Sequence, residues 1–235
     1  MKERNEEDRI KFSRSIQYTL AFIIIIWSVK VVELGLNLDF GSLGILPRTA
    51  QGSIGIFLAP LIHGDIYHLI SNTFPILILG VGIFYFYNKI AFNVILLIYL
   101  MTGFWVWMAA RDAYHIGASG LVYGLLTFLI FSGFFKRDRN TLAVSFIILL
   151  LYGGSFAAGI VPTKAGISWE SHLMGAIAGV FCAVYYRKHS ISDTLKVRES
   201  DSSVEFNYTY SEKGANSDKT TYYYTYQPDQ STYED

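Results

Sequence analysis

Six long apolar segments, separated by shorter polar stretches, dominate the pattern of hydrophobic and polar positions along the chain. Each is close to the length that a helix needs to cross about 30 Å of hydrocarbon at roughly 1.5 Å per residue. None alternates with the period of two that is typical of a strand, and backbone hydrogen bonds in lipid must be satisfied internally. The pattern therefore predicts an all-α membrane protein in which six transmembrane helices form a bundle, at residues 15–36, 66–87, 91–110, 119–135, 142–160 and 171–186.

Composition agrees with a membrane protein and excludes other classes. The 235 residues are 52% hydrophobic and only 16% charged, whereas soluble domains carry about 25% charged residues. The formal net charge is zero, so the chain lacks the basic excess that is typical of nucleic-acid-binding proteins. Cys182 is the only cysteine, which excludes an internal disulfide, and its place in the sixth apolar segment predicts a packing role.

Lysine and arginine residues in the connecting segments predict the orientation of the bundle, because basic residues concentrate in cytoplasmic loops. With the N-terminus in the cytoplasm, eleven of them lie inside, and only Arg48, Arg111 and Lys164 lie outside. Both termini are therefore predicted to be cytoplasmic, in a multi-pass protein of a plasma membrane of the bacterial inner-membrane kind. The predicted inner residues are Lys2, Arg4, Arg9, Lys11, Arg14, Lys89, Lys136, Arg137, Arg139, Arg187 and Lys188.

The chain divides into three predicted parts. Residues 1–14 form a charged cytoplasmic N-terminus, residues 15–188 the six-helix core, and residues 189–235 a cytoplasmic tail rich in Tyr, Ser and Thr. The tail has few aliphatic residues and no helical period, so we expect it to be disordered. The external loop at 37–65 is rich in apolar residues, which predicts that part of it lies in the membrane interface.

The fourth apolar segment begins with a short motif that can carry chemistry, Gly117-Ala118-Ser119-Gly120. A serine hydroxyl is a weak nucleophile that needs a base within hydrogen-bond reach. The flanking glycines allow a tight turn and the close approach of a substrate backbone, and a helix N-terminus offers free N–H groups to a developing oxyanion. These observations favour Ser119 as a nucleophile, and the alternative is an ordinary helix N-cap.

A candidate base, His172, opens the sixth apolar segment. Gly175 and Gly179 follow it on one helix face, and small residues on facing helices let backbones approach closely in lipid. Gly120 begins a G-x-x-x-G pattern on the fourth segment, so the two helices are predicted to meet and to bring the imidazole to the serine. Tyr123 is expected to pack on the imidazole and orient it. The alternative is a histidine held by a backbone carbonyl.

Two polar side chains, His68 and Asn72, share one face of the second apolar segment at positions i and i+4. Buried polar groups need hydrogen-bond partners, and both side chains can donate from an N–H group. Together with the backbone N–H of Ser119 they can form an oxyanion hole. Hydrogen bonding to the backbone of the first loop is the alternative role.

The distribution of histidines raises the question of a metal site. Four of the five, at positions 63, 68, 115 and 172, are predicted on the outer side. Their spacing matches no recognised ligand pattern, so we expect no metal and no other cofactor. His63 and His115 are expected to bond backbone groups in loops. Glu170 is expected to cap the start of the last helix, and tuning of the His172 pKa is the alternative.

Taken in order along the chain, these motifs resemble those of the rhomboid family of intramembrane serine proteases. The resemblance covers about residues 15–188 and rests on three motifs that are each weak but are specific together. They are H-x-x-x-N (His68, Asn72), G-x-S-G with a following aromatic residue (Gly117, Ser119, Gly120, Tyr123) and H-x-x-G-x-x-x-G (His172, Gly175, Gly179).

The resemblance implies a Ser119–His172 dyad without a catalytic acid, and an oxyanion hole formed by His68, Asn72 and the backbone N–H of Ser119. It also implies that the substrates are single-span membrane proteins, cut near a helix-destabilised segment by water that enters from outside. The first loop in this family often carries a Trp-Arg pair. Here Arg48 is present but the loop has no tryptophan, which leaves the contacts of the loop open.

Two other functions stay open. Some rhomboid-like proteins bind and escort membrane clients without catalysis, but such members lack the serine or the histidine, and this chain has both. A small transporter or channel with intramembrane histidine and asparagine is the second alternative. The two halves of the chain, however, show no symmetry of the kind that is common in transporters.

Overall fold

The computed structural model describes residues 2–136, 139–161 and 168–188, and most of them are helical. Six long helices overlap the six predicted segments, and a short helix lies in the first loop. The described part of the chain contains no β-strand, although an isolated bridge joins Ile45 and His115. The helices are α1 (Lys2–Gly35), α2 (Gly55–Leu58), α3 (Ile66–Phe86), α4 (Ala91–Ala109), α5 (Ser119–Lys136), α6 (Arg139–Ile160) and α7 (Trp169–Tyr185).

Within the described residues, four long helices have the length and apolar composition needed to cross a membrane, namely α1, α3, α4 and α5. Helices α6 and α7 complete the predicted set, and the transmembrane position of these two stays a prediction. The predicted disordered tail at 189–235 lies outside the described residues, as do Arg137 and Lys164 of the predicted inner and outer sets.

Helix α1 begins at Lys2, well before the apolar run that starts at residue 15. The charged stretch continues the helix because Lys, Arg and Glu all have favourable helix propensities. Hydropathy detects only the part of a helix that suits lipid, so the predicted span is shorter than the helix. The N-terminal segment that was predicted to be charged is therefore helical from its second residue.

Helix α5 forms the centre of the bundle. It packs most extensively against α7 and also contacts α3, α4 and α6, whereas α1 packs chiefly against α3. Most of the α5 side chains are buried, including Phe128 and Leu129. Cys182 of α7 is fully buried in the same apolar cluster, in agreement with the packing role expected for it. This arrangement brings the N-terminal ends of α5 and α7 close together inside the bundle.

The first loop folds against the connection between α4 and α5. The N–H of Ile45 donates to the carbonyl of His115 at 3.0 Å, and the guanidinium of Arg48 donates to the carbonyl of Ala110 at 2.7 Å. Arg48 also pairs with Asp112, and its backbone is left-handed, with a φ of 58°. In a loop without tryptophan, Arg48 thus joins the loop to the α4–α5 connection.

Candidate active site

Ser119 and His172 meet at the N-terminal ends of α5 and α7. The Nε2 atom of His172 lies 2.8 Å from Oγ of Ser119, a hydrogen-bond distance. Helix α5 begins at Ser119, and the carbonyl of Ala118 accepts the N–H of Val122. Ala118 therefore occupies the N-cap position, because its carbonyl accepts the first bond of the helix. The alternative in which Ser119 is only an N-cap does not apply.

The imidazole of His172 is held in place by two further contacts. Its Nδ1 lies 2.8 Å from the carbonyl oxygen of Gly159 in α6, and since a carbonyl only accepts, Nδ1–H donates. Nε2 of the neutral ring is then an acceptor for the serine hydroxyl. The ring of Tyr123 stacks on the imidazole with centroids 4.3 Å apart and an interplanar angle of 6°. The bond to a backbone carbonyl, which was the alternative role for His172, therefore occurs together with the contact to the serine.

Glycines bring α5 and α7 into backbone contact. A Cβ added to Gly175 would lie 1.9 Å from the carbonyl oxygen of Gly120, and one added to Gly179 would lie 2.0 Å from that of Gly124. No side chain fits at either α7 position at this separation of the helices. The close approach sets the distance between the two first turns, from which the hydroxyl and the imidazole extend.

His68 and Asn72 line the same cavity as Ser119 and His172, and its volume is about 800 Å³. The ring of His68 lies against Gly117, where an added Cβ would be 2.6 Å from Nε2 of His68. Gly117 also has a φ of 106°, a conformation that side chains disfavour. The amide of Asn72 donates to the carbonyl of His68 at 3.1 Å, a bond within α3 instead of the alternative bond to the first loop.

One wall of the cavity is formed by the α4–α5 connection and the start of α7. His115 donates from Nε2 to the carbonyl of Arg111 at 3.1 Å, and its Nδ1 lies 2.6 Å from Oγ of Ser168. Burial lowers the pKa of His115, which favours its neutral form. Glu170 was expected to cap α7, but Ser168 occupies the N-cap position and Glu170 lies in the first turn. Its Oε1 lies 3.3 Å from Nη1 of Arg111.

His63 is buried beneath the start of α5. Its Nε2 accepts the N–H of Ala118 at 3.4 Å, and its ring meets that of His68 edge to face, with centroids 5.1 Å apart. Burial lowers the pKa of His63 to about 4, and the His68 ring and the Lys30 ammonium act in the same direction. His63 and His115 both bond backbone groups, as expected. In the part of the chain that the structure describes, no three His, Cys, Asp or Glu residues are grouped to hold a metal.

The free energy of unfolding is expected to fall as the pH is lowered from 6.5 to about 4. In this range the unfolded chain binds a proton at His63 that the folded chain excludes, so the stabilisation is complete above the unfolded pKa and is lost below it. The expected contribution of His63 to this loss at the lower limit is about 2–3 kcal/mol. Thermal unfolding in detergent across this range measures it. His63→Gln does not titrate there and should lose less, and equal losses in the two proteins would contradict the prediction.

Several residues at or beside the site are not among the site residues predicted from the sequence. Gly159 contributes a backbone carbonyl, which no residue type signals. Lys30 and Glu33 lie within the first predicted span and are buried beside the first loop. A signal for this pair was present, because ionisable residues within an apolar helix need partners and mark sites of interest.

Comparison with known proteins identifies the family. The family model for the Rhomboid domain matches residues 51–189, more than half of the chain. Uncharacterized proteins of Mycobacterium bovis and Mycobacterium tuberculosis are each 33% identical over 179 residues, 70% of this chain and 72% of theirs. One of Mycobacterium leprae is 31% identical over 173 residues, 70% of this chain and 68% of its own. The chain therefore belongs to the rhomboid family, as the three motifs predicted, and is an integral, multi-pass membrane protein.

Proposed function

We propose that the protein is an intramembrane serine endopeptidase that cleaves single-span membrane proteins, with Ser119 as the nucleophile and His172 as its base. The observation that carries the proposal is the 2.8 Å contact between Nε2 of His172 and Oγ of Ser119. The contact lies in a cavity of about 800 Å³, which has room for an extended segment of substrate beside the serine. Membership of the rhomboid family supports the same reaction class.

The reaction begins when Nε2 of His172 takes the hydroxyl proton while Oγ of Ser119 attacks the scissile carbonyl carbon. The carbonyl of Gly159 accepts from Nδ1–H and stabilises the imidazolium, a role that a carboxylate has in Ser-His-Asp triads. The imidazolium then protonates the leaving amine, and an acyl-enzyme remains. Nε2 next deprotonates a water molecule that attacks the ester, which releases the new carboxyl terminus and restores the serine hydroxyl.

The oxyanion is proposed to be held by His68, Asn72 and the backbone N–H of Ser119. The first N–H groups of a helix have no intrahelical partner, so the N–H of Ser119 at the start of α5 is free to donate. The other two residues line the cavity from α3. Donors in these positions act on charge that develops in the transition state, and they therefore affect turnover more than substrate binding.

The proposed membrane orientation follows from charge. Eleven predicted inner Lys and Arg residues against three outer ones favour cytoplasmic termini, with the cavity near the outer face of a bacterial inner membrane. Water would then enter from outside the cell. The proposed chemistry requires neither a metal nor an organic cofactor, and its partners are the lipid bilayer and membrane-spanning substrates instead of nucleic acid.

Labelling with a serine-directed fluorophosphonate tests the proposal. We expect one label per chain, on Ser119, because its hydroxyl faces a neutral imidazole nitrogen. Ser119→Ala should not label, whereas Ser132→Ala, which removes another buried serine of α5, should label like the wild type. A wild-type chain that binds a client but neither labels nor cleaves it would refute the protease and favour the non-catalytic client-binding alternative.

Gly159→Ala is expected to lower the turnover number by about 10-fold to 100-fold, because small displacements of catalytic groups are costly. The new Cβ would lie 2.1 Å from the hydroxyl oxygen of Tyr123 and 2.9 Å from Nδ1 of His172, so both rings must move. Gly154→Ala in the same helix is the matched control, since nothing lies within 4 Å of its added Cβ. Steady-state cleavage of one substrate by both variants measures the effect, and equal turnover would contradict it.

A further inference from the structure

A buried ion pair of α1 contacts the segment that leads into α3. Nζ of Lys30 lies 2.6 Å from Oε2 of Glu33, and the two side chains are only 8% and 9% exposed. The same ammonium donates to the backbone carbonyls of His63 and Gly64, at 2.9 and 3.1 Å. The other oxygen of Glu33 accepts the N–H of Phe40 at 3.0 Å. The pair therefore joins one helix to both ends of the first loop.

The ammonium of Lys30 is fully engaged by these contacts. A lysine ammonium has three N–H donors, and the carboxylate and the two carbonyls are three acceptors within hydrogen-bond distance. Lys30 thus holds the backbone of residues 63 and 64 at two consecutive carbonyls. These two bonds fix the backbone at His63, and the position of the backbone sets the direction of the His63 side chain.

His63 extends this contact to the candidate active site. Its Nε2 accepts the N–H of Ala118 at 3.4 Å, and its ring packs edge to face against that of His68. Ala118 is fully buried and directly precedes the proposed nucleophile, and His68 is a proposed oxyanion donor. One side chain therefore touches the backbone beside one oxyanion donor and the ring of another.

The His63 contact requires a neutral ring, because Nε2 accepts only while it is unprotonated. Burial lowers the pKa of His63 to about 4, so the ring stays an acceptor near neutral pH. The hydrogen bond from the N–H of Ala118 also contributes to the free energy of folding, because a buried backbone N–H without a partner is costly. The ring of His63 is thus both a partner for the peptide before Ser119 and a support for His68.

We propose that Lys30 and Glu33 position the oxyanion site through His63, so that α1 controls the geometry of a site to which it supplies no catalytic residue. The inference rests on the proposed function. The whole of the matched Rhomboid domain, residues 51–189, follows α1, so the match does not include this helix. Replacing a buried ion pair by uncharged groups often costs no stability. Stabilisation of the fold alone therefore does not explain why these two charges are buried. A role in holding the first loop in place beside the site would explain it.

Two substitutions of His63 test the last step. His63→Leu removes the acceptor, and His63→Gln offers an amide oxygen near the position of Nε2. We expect the turnover number per fluorophosphonate-reactive serine to fall about 10-fold to 100-fold in the leucine variant, with KM changed by less than about two-fold. The glutamine variant should retain turnover within about three-fold of the wild type. Wild-type turnover in His63→Leu, or equal losses in both variants, would overturn the proposal.

Joint neutralisation of the ion pair tests the first step. Lys30→Met combined with Glu33→Gln leaves no stranded charge and keeps an acceptor for Phe40, so folding is preserved better than in a single variant. We expect turnover to fall about 10-fold, and the variant that also carries His63→Leu should be no slower than His63→Leu alone, because both changes act through one contact. If the loss of turnover in the combined variant equalled the product of the two separate losses, the ion pair and His63 would act independently. That result would overturn the proposal that α1 acts through His63.

Lys11→Met is the matched control for the change in α1. Lys11 lies on the same helix, with its ammonium 4.9 Å from the ring centroid of Tyr85 in α3, but about 28 Å along the helix axis from Lys30. Lys11→Met also removes a lysine charge from α1, together with a contact to α3. We expect wild-type turnover, and a loss as large as that of the variant without the ion pair would overturn the proposal by assigning the effect to α1 packing.

Hydrogen exchange separates this inference from the proposed function. In His63→Leu, and in the variant without the ion pair, the peptide that contains Ala118 should exchange at least about 10-fold faster than in the wild type. Unchanged exchange would overturn the inference even where activity falls. Failure of the proposed function has another signature, a wild type that neither labels nor cleaves although its exchange still responds to His63→Leu.

Discussion

Ser119→Ala and His172→Ala are each expected to reduce cleavage of a reconstituted single-span substrate by about 10³-fold to 10⁶-fold. Each change removes one partner of the 2.8 Å contact from which the proposed mechanism starts. Because the two side chains act as a unit, the double variant should be about as slow as either single variant. Substrate affinity should change little, since neither group is proposed to hold the substrate in its ground state.

The measurement is the rate of product formation in proteoliposomes at saturating substrate, with affinity determined separately. Ser132→Ala provides the control, because it removes a buried serine about 20 Å further along α5 and should cleave at the wild-type rate. Wild-type turnover in either Ser119→Ala or His172→Ala would falsify the dyad. If the loss of turnover in the double variant equalled the product of the two single losses, the two groups would act independently. That result would contradict the mechanism.

Gly175→Ala is expected to lower both stability and activity by forcing α5 and α7 apart. Its Cβ would lie 1.9 Å from a backbone oxygen, that of Gly120, and a backbone atom cannot rotate away as a side chain can. Overpacking of this kind costs about 1–3 kcal/mol, or more where the backbone itself has to shift. The separation of the two helices also carries His172 away from Ser119, so turnover should fall about 100-fold.

Thermal unfolding in detergent and steady-state cleavage together measure the effect of Gly175→Ala. Gly153→Ala in α6 makes the same chemical change within a helix, but its added Cβ would be 3.6 Å from its nearest neighbour, an ordinary contact. The control should therefore unfold at the wild-type temperature or slightly above it, since alanine has the higher helix propensity. Equal behaviour of the two variants would show that the α5–α7 contact does not control the site.

The comparison of sequence with structure is most instructive at the two candidate catalytic residues. The G-x-S-G motif and the histidine that opens the last apolar run are local patterns, and local patterns determine where helices begin. The glycines of both segments also indicated which helix faces meet, because only small residues permit backbone contact. Family membership is confirmed by the Rhomboid domain match, whereas the catalytic roles of Ser119 and His172 stay predictions.

Other features of the site required coordinates. Gly159 acts through a carbonyl that every residue possesses, so no composition or spacing distinguishes it. Glu170 was expected to cap a helix on its position alone, but its carboxylate pairs with Arg111 across the cavity wall. The role of His63 depends on a bond to Ala118, 55 positions later in the chain. Each of these contacts joins residues far apart in sequence, where no local pattern operates.

The sequence by itself determined the helical class, the approximate positions of the long helices, the family and the candidate residues, because hydropathy, helix signals and motifs are written in neighbouring positions. The tertiary structure decided which groups touch. It set the 2.8 Å contact between serine and imidazole, the carbonyl that holds the other ring nitrogen, and the buried pair of α1 beside the first loop. These depend on how separate helices pack, since packing fixes distances that a linear pattern does not contain.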